Sequence, residues 1–139
     1  MSEVKFLFPI EINVQWGDQD ALGHVNNTVF FRYFETARIH MFNESGAWDA
    51  FERSKLYFVL AKIECNFLDS IHFPETIIVQ CGLVAVGNSS ITVEHQIFTK
   101  SNNKLVATGQ GIVVCADTIA QKSTKIPEEI KQLMMNQLK

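Results

Sequence analysis

The sequence predicts an α+β domain in which one long helix lies on an antiparallel sheet. Three observations carry this. Apolar and polar residues alternate from Ile10 to Trp16, a helical stretch runs from Asn27 to Ser45, and from Tyr57 onward the chain reads as strands joined by short turns. One helix followed by consecutive hairpins belongs to α+β organisation, whereas βαβ units would alternate the two elements. The length of 139 residues and a hydrophobic content of 47% suit one domain with a sizeable core, so residues 1–139 are read as a single unit. No repeat, low-complexity tract or long linker divides it.

Each element has its own signature. In the first strand Ile10, Ile12, Val14 and Trp16 alternate with Glu11, Asn13 and Gln15, the period of a half-buried strand. In the helix Phe30, Phe34, Ala37 and Met41 share a face, and Phe31 and Phe42 widen it. Such breadth predicts a helix largely enclosed by other structure, as when a sheet curls around it, and Gly46 ends it. After a linking segment, Ala47 to Lys55, four strands are expected at Tyr57–Phe67, Thr76–Val86, Ser90–Lys100 and Lys104–Asp117. Gly87-Asn88 and Asn102-Asn103 fall where tight turns call for residues that tolerate positive φ. Pro127, placed in the first turn, opens a final helix to Leu138.

Composition excludes several function classes. A net charge of −3 with scattered basic residues gives no footprint for nucleic acid. No segment approaches the ~20 apolar residues that span a bilayer, and the N-terminus lacks the basic and apolar regions of a secretion signal. Cys65, Cys81 and Cys115 each sit in an apolar strand-like run, as buried free thiols of a reducing compartment would. A cytoplasmic protein is expected. There is no Gly-x-Ser-x-Gly elbow, paired CxxC, HExxH, GxGxxG or P-loop, and His40, His72 and His95 lack metal-ligand spacing. No metal and no organic cofactor are expected.

The chemistry concentrates in Asp18-Gln-Asp-Ala-Leu-Gly-His-Val-Asn-Asn-Thr28, where two acids, a histidine and two amides lead into a helix N-terminus with its unpaired N–H groups. Turn formation and capping by Asn26 or Asn27 would explain the same residues. The run Trp16-Gly-Asp-Gln-Asp20-Ala-Leu-Gly-His-Val-Asn-Asn27, followed by Phe30-Phe31-Arg-Tyr-Phe-Glu-Thr-Ala-Arg38, resembles the hotdog-fold acyl-CoA thioesterases, in particular the 4-hydroxybenzoyl-CoA thioesterase-like family. The likeness continues more loosely through Tyr57 to Phe67 and the later strands. It implies a hotdog fold, the sheet wrapped around the helix, assembled as a homodimer or homotetramer.

The resemblance assigns the catalytic carboxylate to Asp20, as nucleophile toward the thioester carbonyl or as general base for water. Both roles need an ionised carboxylate, and the sequence does not choose between them. Asp18 falls outside that slot and is read as a loop residue. Backbone donors for the developing oxyanion are expected from Gly23, His24 and Val25, and the family comparison adds Phe58 and Val59. His24 either bonds the substrate or holds the loop, and Asn27 either caps the helix or positions water or substrate. Glu35 and Arg38, three apart on the helix, are expected to pair, with Glu35 a secondary candidate for the site. The implied substrate is an acyl-CoA or an acyl-carrier protein thioester. The alternative is a non-catalytic protein that binds the same ligands.

Overall fold

In the computed structural model, which describes residues 4–136, the expected long helix is α1, Asn27–Glu44. Asn26 caps it, its side-chain oxygen accepting from the Thr28 N–H at 2.9 Å, so the first of the two asparagines is the cap. Phe30, Phe34, Ala37 and Met41 are all buried, and Tyr33, Arg38 and Phe42 join them. That broad face rests mainly on β1 (Lys5–Asn13) and β4 (Thr76–Val86).

The sheet runs β1-β4-β5-β6-β2, with every neighbour antiparallel, where β2 is Leu56–Ile63, β5 is Ser90–Thr99 and β6 is Lys104–Asp117. A two-residue strand β3, Asn66–Phe67, also pairs with β6. The period-2 pattern of β5 is realised fully: Ile91, Val93 and Ile97 are buried while Thr92, Glu94 and Gln96 are only half-buried. This is the α+β architecture of a sheet curled around one helix that the sequence predicts. Among the described residues, no helix is long and apolar enough to cross a membrane.

The first strand lies earlier than expected. Pairing with β4 shifts between Leu7 and Ile10, and Phe8 has a φ of 56°, so a bulge hides the start of the strand from a strict alternation. At its other end the strand stops at Asn13, and Trp16 lies in a single 3-10 turn, Trp16–Asp18, with 74% of its surface exposed.

The segment expected as a link, Ala47 to Lys55, contains helix α2, Ala47–Arg53. It is too short to show a helical period, yet it buries Ala47, Ala50 and Phe51, and the Phe51 ring meets Phe58 at 3.8 Å. The single strand expected at Tyr57–Phe67 is broken into β2 and β3. Gly109 on β6 gives the physical reason. A Cβ there would stand 2.0 Å from the Glu64 carbonyl oxygen and 2.8 Å from Phe34 Cε2, so the chain crosses at Glu64 against bare backbone.

Of the two hairpin turns, only that at Asn102-Asn103 uses positive φ, at Asn103 (52°). The turn at Gly87-Asn88 closes without it, the Gly87 N–H donating to Ser90 O at 2.8 Å. Helix α3, Glu128–Met135, starts one residue after Pro127, which stands at its N-cap rather than in its first turn. The expected end at Leu138 lies outside the described residues. Cys81 and Cys115 are buried free thiols, and Cys65 is a half-buried one. Burial pushes Cys65 up to about 11 and Cys81 up to about 12, and it raises Cys115 as well, which keeps all three protonated and unreactive.

Candidate active site

The polar loop between β1 and α1 is held by its own backbone. The Asp20 N–H donates to His24 O at 2.8 Å and the Gly23 N–H to Asp20 O at 3.1 Å, a tight turn whose Gly23 has a φ of 83°. The Val25 N–H reaches Ile71 O at 2.8 Å, which ties the loop to the segment before β4. His72 adds a second tie. A carbonyl oxygen only accepts, so Nδ1 of His72 is the donor to Gly23 O at 3.3 Å, and its Nε2 accepts from the Ser70 hydroxyl at 3.2 Å. The His24 and His72 rings meet edge-on at 5.0 Å.

The two acids of the loop have different surroundings. Asp18 Oδ2 accepts from the Gln15 N–H at 2.9 Å and from the Tyr33 hydroxyl at 2.8 Å. Tyr33 is buried on α1, so its hydroxyl needs such a partner, and burial together with the Asp18 bond raises its pKa above the usual phenol value. Asp18 fixes the loop to the helix. Asp20 instead is exposed, and its Oδ1 accepts only from within the loop, from Leu22 N–H at 2.8 Å and His24 N–H at 3.4 Å. Its Oδ2 has no partner among the described residues.

Asp20 lines an open cavity of about 450 Å³ with His24, Val25, Asn27, Phe30 and Phe67, and Asp69 and Ser70 complete the rim. Phe30 and Phe67 form an apolar wall, their rings edge-on at 5.0 Å. The first turn of α1 meets the same space, where Asn27 is the first helical residue. Its N–H finds no acceptor among the described residues, and the helix dipole adds to that N–H's pull on negative charge.

The expected site residues therefore separate into two groups. Asp20, His24, Val25 and Asn27 share this cavity, with Gly23 in the turn beneath it. The N–H groups of Gly23, His24 and Val25 already have acceptors inside the chain, while that of Asn27 is open. Phe58 and Glu35 line a different cavity, with Arg38, Ile39, Phe42 and Leu60, and Val59 is exposed on β2, at the end of the sheet. One chain alone does not bring them to Asp20. The expected Glu35–Arg38 ion pair does not form: Arg38 is buried and its Nη1 donates instead to His95 at 3.2 Å. Phe67, Ser70 and His72 were missed in the sequence because no spacing marks them. The only signal was an Asp-Ser-Ile-His run interrupting two strands.

Asp69 pairs with Lys104, and this bond, with a further one from Ser70 N–H, holds its carboxyl below the usual range. Among the described residues, no group of three His, Cys, Asp or Glu side chains could share a metal ion.

A family profile described as the thioesterase-like superfamily matches residues 14–134. A thioesterase from Thermus thermophilus, crystallised with coenzyme A and Zn, is 32% identical, the match covering 93% of this chain and 98% of that one with a TM-score of 0.79. The acyl-CoA thioester hydrolase YbgC of Escherichia coli is 22% identical over 125 residues, 89% of this chain and 92% of that protein. A chloroplastic acyl-acyl carrier protein thioesterase of Arabidopsis thaliana is 25% identical over 132 residues, 94% of this chain and 68% of that protein.

Proposed function

The chain belongs to the thioesterase-like superfamily and is a thioester hydrolase of the hotdog fold, and from that premise we propose that it cleaves acyl-CoA thioesters with the Asp20 carboxylate. The observation that supports this most is the contrast within Asp20 itself. One carboxylate oxygen is pinned by loop N–H groups and the other is unpartnered, beside a cavity that ends at a helix N-terminus.

The chemistry follows from that placement. With the thioester carbonyl between Asp20 and Asn27, the negative charge that builds on its oxygen meets the open Asn27 N–H and the positive end of α1. Asp20 then acts in one of two ways. As nucleophile its oxygen bonds to the carbonyl carbon, the carbon–sulfur bond breaks, the thiolate leaves, and water hydrolyses the mixed anhydride. As general base it takes a proton from a water that attacks the same carbon, the carbon–sulfur bond then breaks, and the thiolate leaves and is protonated. Gly23 and Val25 shape the turn, and His24, beside His72, borders the acyl entrance. Phe30 and Phe67 favour a short or aromatic acyl group over a long chain.

Phe58 and Val59 enter this reading through assembly. Among the described residues the outer edge of β2 has no strand partner, and Tyr57, Val59 and Leu60 are exposed along it. Such an edge invites a second copy, which would bring its own β2 donors toward Asp20. A homodimer, alone or doubled to a tetramer, is proposed. Sedimentation should show at least twice the 15.8 kDa chain mass, and a monomer at working concentration would remove the composite site.

The test of function is a hydrolysis screen over acyl-CoA length and type, with acyl-carrier protein thioesters as a second arm. Turnover of short or aromatic acyl-CoA, unchanged by a metal chelator, is expected. Tight ligand binding without turnover on any thioester would favour a non-catalytic acyl-CoA binder. Activity lost to chelation and restored by one divalent ion would make the carboxylate account wrong.

A further inference from the structure

The turn that pins Asp20 is itself held from outside, by a side chain to which the proposed chemistry gives no part. Asp20 Oδ1 accepts from the His24 N–H at 3.4 Å as well as from the Leu22 N–H. That His24 N–H and the Gly23 carbonyl belong to one trans peptide group, so they point in opposite directions. The carbonyl end is taken by His72, whose Nδ1 donates to Gly23 O at 3.3 Å. The Ser70 hydroxyl, 3.2 Å from Nε2, donates to the other ring nitrogen and leaves the ring proton on Nδ1. Edge-on at 5.0 Å, the His24 ring packs against the same imidazole. A continuous run of bonds thus leads from Ser70 through His72 and one peptide to the Asp20 carboxylate.

Rotation is the weakness of that peptide. Gly23 has a φ of 83° and no Cβ, so the unit that follows it turns over at little steric cost. Turned over, it would aim a carbonyl oxygen at the Asp20 carboxylate in place of an N–H. The next peptide is held at both ends, the Asp20 N–H on His24 O and the Val25 N–H on Ile71 O, each at 2.8 Å. Among the described residues, the Gly23–His24 peptide has only His72 and Asp20. We infer that His72 is a positioning residue for thioester hydrolysis: by holding the Gly23 carbonyl it aims the His24 N–H at Oδ1 of Asp20 and keeps Oδ2 turned to the substrate. A reacting atom displaced by about 1 Å can lose on the order of 10²-fold in rate, so such a hold matters. His72 itself is exposed and lines the adjoining cavity, not that of Asp20, so it acts through the peptide and not on the substrate. The link to catalysis rests on the proposed role of Asp20, whereas the hold on the peptide does not.

The experiment is steady-state kinetics of the whole protein on whichever of acetyl-, butyryl- and benzoyl-CoA it turns over fastest, with Tm and amide hydrogen exchange at His24 measured beside it. His72→Phe keeps a ring but removes the donor. It should lower kcat at least about tenfold with KM within about twofold, speed exchange of the His24 N–H, and leave Tm nearly unchanged because the position is exposed. In His72→Asn the amide Nδ2 stands where the imidazole Nδ1 stood, so the donor returns without the ring, and most of kcat and of the exchange protection should return with it. In an Asp20→Asn background, His72→Phe should cost no further kcat, since its effect passes through that carboxylate. A normal kcat in His72→Phe beside an inactive Asp20→Asn would overturn this inference alone. So would losses that multiply in the double variant, or a fall in kcat that tracks Tm and is not rescued by His72→Asn. Near-normal kcat in Asp20→Asn would overturn the Asp20 reading and the catalytic role of His72 with it, while the exchange of His24 would still report whether His72 holds the peptide.

Discussion

The helix α1 bears two polar features with opposite physics. At its first turn, Asp20 sits in an exposed loop whose backbone bonds to itself, so the carboxylate stays hydrated and one oxygen stays free. Further along the helix, Arg38 and its partner His95 are buried, Arg38 bonded to His95 and His95 in turn to Gly109. A reactive group can be held by inexpensive local bonds when it stays at the surface. A polar group in the interior needs a complete network, and removing any member leaves the others unsatisfied. The loop should therefore tolerate substitution with loss of chemistry, and the interior should respond with loss of stability.

The largest expected stability effect is at Gly109. Gly109→Ala places a methyl 2.0 Å from the Glu64 carbonyl oxygen and against Phe34, which stacks on His95. Overpacking of this kind should cost about 3 kcal/mol and lower Tm by roughly 10 °C. An unchanged Tm in a thermal melt would show that β2 and β6 can part there freely, and the contrast between loop and interior would weaken.

The pH dependence of stability sharpens the same contrast. Burial, with the Arg38 charge adding to it and the Gly109 bond opposing it, lowers His95 from 6.5 to about 4. The folded-state value is the lower one, so the unfolded chain takes up the proton first. This contribution to stability is complete above pH 6.5 and is lost as pH falls toward 4. The difference is worth about 3 kcal/mol. Melts between pH 7 and 4 should show this loss, and His95→Asn, less stable at pH 7, should show a flatter profile over that window. An equal slope in both proteins would mean the histidine does not control it.

Much of this was legible beforehand because periodic burial leaves a trace in sequence. The apolar face of α1 follows from helical spacing, and the turn signals Gly87-Asn88 and Asn102-Asn103 mark the end of β4 and the start of β6. The Asp20 loop stood out because its residue types, and the family it resembles, are local in sequence. The interior network was not legible. His95 is 14 residues from Gly109 and 57 from Arg38, and nothing in the pattern of β5 distinguishes a buried histidine from an apolar neighbour. The bulge at Phe8 and the break at Glu64 were hidden for a similar reason, since each depends on a chain segment distant in sequence.

A smaller effect is expected where the loop meets the helix. Tyr33→Phe removes the hydroxyl from Asp18 but leaves the Gln15 bond, and it should cost about 1 kcal/mol. Steady-state kcat should change little, because Asp18 is a tether. A large fall in kcat with Tm intact would assign Asp18, through Tyr33, a part in the chemistry.

The most direct test of the central claim compares kcat for thioester hydrolysis in Asp20→Asn and Asp18→Asn, with Tm measured for both. The amide at position 20 can still accept the Leu22 N–H but is a poor nucleophile and a poor base. The account predicts that Asp20→Asn loses on the order of 10²–10⁴-fold or more in kcat with Tm nearly unchanged, while Asp18→Asn loses some stability and little kcat. Near-normal kcat in Asp20→Asn, or a greater loss of kcat in Asp18→Asn, would contradict it.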